Sequence, residues 1–100
     1  MIRIEIKDNA VLHKAVRTFG TDAQLMVAIE EMAELTKEIL KNINRKKDNI
    51  AELIEETADV EIMLGQLKCC YNIEKEVVEY KINKMRKIAE RLDNWEKENL

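Results

Sequence analysis

One hundred residues with a formal net charge of −3 bound this chain to a single small domain, long enough to bury a core without covalent staples. Hydrophobic residues at 46%, charged residues at 37%, two glycines and no proline describe long helices rather than sandwiches or barrels. Acids and bases are interspersed, so the whole-molecule field offers a polyanion no attraction, and general nucleic-acid binding is not expected.

Ile2, Ile4 and Ile6 alternate with charged residues, a period-two pattern too short to stand alone, so residues 1–7 read as a short extended arm or a disordered start. The same charges interrupt any signal-peptide core, and no later uncharged run approaches a membrane span. A cytoplasmic protein without membrane contact is therefore expected. Asp8 or Asn9 can cap a first helix over about 9–19, which Gly20 ends with a left-handed residue. Thr21-Asp22-Ala23-Gln24 has the form of a capping box and predicts a helix start at Thr21. From there Leu25, Ala28, Ile29, Met32, Thr36, Ile39 and Ile43 recur at helical spacing, predicting a buried face on a helix running to about Asn42.

After a polar connection over Asn44 to Lys47, Asp48 can cap a third helix. Its apolar stripe would be Ile50, Leu53, Ile54, Thr57, Val60, Leu64 and Leu67, with an end near Tyr71-Asn72. The adjacent Cys69 and Cys70 cannot easily adopt the geometry of an ordinary disulfide and read as reduced thiols. The fourth helix, from about Ile73, carries Val77, Val78, Ile82, Met85, Ala89 and Leu92 on one side. Short connections favour antiparallel neighbours. The fold expected is therefore all-α, a four-helix bundle forming one domain over 1–100.

Glu31 and Glu34 lie one turn apart on the second helix, and Glu56 and Asp59 one turn apart on the third. If the two helices are antiparallel neighbours, four carboxylates converge in one groove, where they cannot stay close and ionised without a cation. An oxygen-only set suits Mg²⁺ or Mn²⁺. The alternative is ordinary solvated acids, since 20 of the 100 residues are Asp or Glu. Against it, Asp59 stands among Ala58, Val60, Ile62, Met63 and Leu64, a stretch apolar around most of the helix.

Glu30-Glu31-x-x-Glu34 followed by Glu56-x-x-Asp59 resembles the EExxE…ExxD signature of the MazG-like, all-α nucleoside triphosphate pyrophosphohydrolase superfamily. The resemblance spans roughly residues 20–92, with the same order of capped helix, acidic motif, polar loop and second acidic motif. It implies that Glu31, Glu34, Glu56 and Asp59 bind Mg²⁺, and that Glu30 supports the site or helps orient water. The implied reaction converts a (d)NTP to its monophosphate and pyrophosphate, in nucleotide-pool housekeeping. It implies further that Lys81, Lys84 and Arg91 on the last helix reach the triphosphate. Ile88 and Leu92 depart from the Asn and Tyr that family members carry nearby, and the bland role of these cations is to snorkel beside an apolar stripe. Gln24 can contact a base or serve only as a cap. The superfamily's members are typically dimers or tetramers, and the apolar content of the helices also points to a homo-oligomer.

Tyr71, Tyr80 and Trp95 are packing anchors or stacking platforms. His13, the single histidine, lies outside any Glu-x-x-His pattern and is expected to pack or be solvated, which argues against a ferritin-like di-iron site. Glycine-rich phosphate loops are absent from the sequence, as is any Ser/His/Asp or Cys/His constellation. The rival to an enzyme is a non-catalytic helical oligomerisation or adaptor module that keeps the fold.

Overall fold

The computed structural model describes residues 5–45 and 48–100. Its elements are α1 (Glu5–Phe19), α2 (Thr21–Arg45), α3 (Ile50–Tyr71) and α4 (Glu74–Asn99), and no strand occurs among the described residues. The chain is all-α as its composition predicts. The proposed arm is half answered: residues 1–4 lie outside the described residues, while 5–7 already belong to α1, which starts four residues earlier than the cap at Asn9 implied.

Gly20 alone joins α1 to α2. Its N–H donates to the Val16 carbonyl (2.8 Å), closing α1, and its own carbonyl accepts from Gln24 N–H (3.2 Å), opening α2. Gly20 is thus the N-cap, and the expected capping box is out of register by one residue, with Thr21 already inside the first turn. A φ of +89° explains the glycine. A Cβ there would meet open space, so Gly20→Ala tests backbone strain alone. It should destabilise by about 1 kcal/mol, read as a lower urea midpoint at unchanged m-value.

Helices α2 and α3 form the main antiparallel pair, and α1 packs across both. The contact between α1 and α3 is close at Gly65, where an added Cβ would stand 2.8 Å from Leu12 Cδ1. Gly65 therefore serves approach rather than turning. The buried core is small, comprising Ala28, Val60, Met63 and Cys69. Along α2 the sheltered line runs Leu25, Ala28, Glu31, Leu35, Glu38 and Asn42, and along α3 it runs Leu53, Glu56, Asp59, Val60, Met63 and Gln66. The predicted faces are thus corrected. Ile29, Met32, Ile39 and Ile43 on α2, and Ile50, Ile54 and Leu64 on α3, are exposed, because the seam between the helices runs beside the most apolar face and not along it.

Asn49, rather than the expected Asp48, is the N-cap of α3, its carbonyl accepting from Leu53 N–H at 2.9 Å. Its side chain makes no capping bond and turns instead to α2. The amide Nδ2 donates to the Glu38 carbonyl (2.8 Å) and to Glu38 Oε1 (3.0 Å), and Oδ1 accepts from Asn42 Nδ2 (3.0 Å). With Asn49 only 1% exposed, this clasp fastens the loop end of the α2–α3 hairpin.

Helix α3 ends in a Schellman-type reversal: Asn72 is left-handed at φ 52°, and Ile73 N–H donates to the Lys68 carbonyl at 3.1 Å. Beyond it the backbone of α4 comes near α3 alone, and none of its residues is buried. Its predicted apolar side, from Val78 through Met85 to Leu92, therefore faces solvent within one chain.

Candidate metal centre

Pairing α2 with α3 puts Glu31 opposite Glu56 and Asp59. One carboxylate oxygen from each lies within 4.8 Å of the others, and all three residues are half-buried. Helical geometry explains the convergence: Glu56 and Asp59 are one turn apart on α3, so both meet the turn of α2 that carries Glu31.

Burial and like charge shift two of them in the same direction. Burial pushes the Glu31 carboxyl up, helped by the charge of Asp59, a hydrogen bond to that residue, and the charges of Glu34 and Glu30. Burial also pushes Glu56 up, followed by the charges of Asp59, Glu31, Glu55 and Glu34. In addition, Glu56 Oε2 is shielded from solvent without a hydrogen-bond partner. A shielded carboxylate oxygen without a donor, set among like charges, is the environment a hard cation relieves, and the all-oxygen donor set matches Mg²⁺ or Mn²⁺. The residues fit the metal. A small cleft of about 160 Å³ opens beside them, lined by Val27, Glu31, Asp59, Ile62 and Met63.

The remaining expected site residues are placed differently. Glu34 is outside the close group, exposed and paired with Lys37 at 3.6 Å, a surface ion pair of the kind worth little. Its charge nevertheless acts on both Glu31 and Glu56. Glu30 is exposed next to the group. Gln24 is half-buried two turns before Glu31 and does not line the cleft. Lys81, Lys84 and Arg91 are exposed on α4 and do not line it either.

A second mixed group joins His13, Cys69 and Glu74, with one ligand atom of each within 4.8 Å of the others. It draws on α1, α3 and the start of α4, residues too distant in sequence for any spacing motif to announce. No protein-family model, curated protein or solved structure matches the chain. Among the described residues, no helix is long and apolar enough to cross a membrane.

Proposed function

We propose that the chain is a Mg²⁺-dependent nucleoside triphosphate pyrophosphohydrolase acting on standard or modified (d)NTPs, as its resemblance to the MazG-like superfamily implies. The observation that carries this reading is the convergence of Glu31, Glu56 and Asp59 from two helices into one half-buried group of carboxylates. Glu31, Glu56 and Asp59 would hold the metal, with Glu34 able to join by leaving Lys37. The bound metal would neutralise the triphosphate and lower the pKa of an attacking water. The carboxylates themselves orient the site, and any of them not fully engaged can accept the proton of the attacking water. Lys81, Lys84 and Arg91 are proposed for the phosphates and Gln24 for the base. The housekeeping role belongs to the cytoplasmic nucleotide pool.

Large exposed apolar residues on α2, α3 and α4 favour association into a homodimer or homotetramer. A second copy laid against these faces is the proposed route by which α4 cations come near a carboxylate group. The same exposed faces favour the second reading, a helical oligomerisation module without turnover. Pyrophosphate release from a panel of (d)NTPs with Mg²⁺ separates the two. Release by the wild type that is lost in Glu56→Gln and Asp59→Asn supports the enzyme, whereas a folded wild type idle on every nucleotide supports the module. A strictly monomeric species at micromolar concentration in sedimentation would overturn the oligomer.

A further inference from the structure

Three helices meet at the far end of the seam from the acidic group. Leu12 rides on Gly65, and this close approach brings its neighbour His13 to the turn of α3 that carries Cys69, four residues beyond Gly65 on the same face. From the other side, the left-handed Asn72 reverses the chain so that Glu74, in the first turn of α4, folds back over Cys69. The Cys69 thiol donates to Glu74 Oε1 at 3.7 Å. Backbone geometry thus gathers an imidazole, a thiol and a carboxylate.

We propose that His13, Cys69 and Glu74 form a transition-metal site, with the ligand chemistry of zinc, that fastens α4 to α1 and α3. Sulfur and imidazole donors select a borderline-soft ion and disfavour the Mg²⁺ expected at the all-oxygen group. Distances agree with this. Ligands on a tetrahedral zinc, with Zn–S near 2.3 Å and Zn–O near 2.1 Å, stand about 3.6 Å apart. Cys69 and Glu74 are already at 3.7 Å, and His13 needs only a side-chain adjustment from within 4.8 Å. A cleft of about 220 Å³ lined by His13, Asn72, Glu74 and Lys75 gives an entry path and room for a water as fourth ligand. Cys69 itself is buried at 6% exposure, so a thiolate there is shielded from competing thiols, while Cys70 is outside the group.

The structural consequence is specific. Backbone packing of α4 is confined to α3, and an ion held by residues of three helices would fix its direction where packing supplies little. Asp59 lies ten residues from Cys69 along α3, about 15 Å, so the site is independent of the acidic group and of the enzymatic reading.

Co²⁺ titration into metal-free, reduced protein tests the site, because a thiolate-to-cobalt charge-transfer band reports a sulfur ligand and is silent for carboxylate-only binding. The expected result is a saturable band with tetrahedral ligand-field intensity, displaced by Zn²⁺, accompanied by a rise in thermal midpoint. It should be weakened at least tenfold in affinity by His13→Ala and by Glu74→Gln, absent in Cys69→Ser, and unchanged in Cys70→Ser and Asp59→Asn. A helical wild type that gives no band at millimolar Co²⁺ overturns the proposal. So does a band that survives in Cys69→Ser, disappears in Cys70→Ser, or is insensitive to His13→Ala and Glu74→Gln. Because the wild type and the half-buried Cys70 control are both decisive, a folding defect in Cys69→Ser leaves the test intact.

Discussion

Asp59→Asn should lower Mg²⁺-dependent pyrophosphate release by about 100-fold or more, beyond what losing an outer-shell partner of a metal costs, while the metal-free protein becomes more resistant to heat. Both effects arise from one charge. Asp59 is the leading electrostatic contributor, after burial, to the raised pKa of both Glu31 and Glu56. On the proposed reading, removing it takes a ligand from the cation, and it also relieves two half-buried carboxyls of a repulsion that pushes both upward. The sign of the pH dependence follows. Glu31 and Glu56 bind protons more tightly folded than unfolded, so their contribution is fully present below the unfolded value of 4.5 and is lost as pH rises through the raised folded values. Thermal midpoints measured in chelator should therefore decline across that window in the wild type, decline less in Asp59→Asn, and recover when Mg²⁺ is added at neutral pH. A variant that retains full turnover would remove Asp59 from the metal set.

Asn49→Ala should cost about 2–3 kcal/mol, a drop of roughly 10 °C or more in thermal midpoint, although no ligand site is touched. The amide satisfies the Glu38 carbonyl, Glu38 Oε1 and Asn42 at once, in a place too closed for water to replace it. Truncation leaves the buried Glu38 carbonyl and carboxylate without this donor, and the cost is that of stranded polar atoms rather than of lost contact area. The Glu38 carboxyl is held below the usual range, first by Asn49 and then by Lys41, whose Nζ donates at 3.2 Å. Its stabilisation is present above the unfolded value of 4.5 and is lost as pH falls through the lowered folded value, the reverse of the acidic group. The acid-side loss of stability should accordingly be shallower in Asn49→Ala than in the wild type. Equal chemical-denaturation midpoints for the two proteins would show that the clasp is dispensable.

Helix identity was legible because each segment combines a helical period with a stop: Gly20, the polar run before Ile50, and Asn72 each interrupt the chain close to where its residue types predict. The caps were read less well. Residue type predicts Asp48 as the cap of α3, whereas the role of Asn49 depends on a partner eleven residues back that no local motif encodes. The inward faces were misread for a related reason. Periodicity reports where apolar residues collect, whereas the seam is fixed by how α1 and α3 are seated, and it takes in Glu31, Glu38, Glu56 and Asp59 while leaving Ile29 and Ile54 outside. For the acidic group, spacing on each helix was sufficient to bring three of the four expected carboxylates together, while Glu34 pairs with Lys37, one turn along its own exposed face. The His13–Cys69–Glu74 group was illegible in sequence, since it depends on the approach at Gly65 and on the reversal at Asn72.

The clasp between Glu38 and Asn49 also bears on the order of events as the chain folds. Its partners are separated by only eleven residues, so bringing them together closes a short loop, an encounter that unstructured chains achieve in roughly 10–100 ns. The contacts of α1 with α3 close a much longer stretch of chain. Native interactions at Asn49 are therefore expected early, and stopped-flow measurements on Asn49→Ala should find the loss of stability expressed as slower folding with nearly unchanged unfolding.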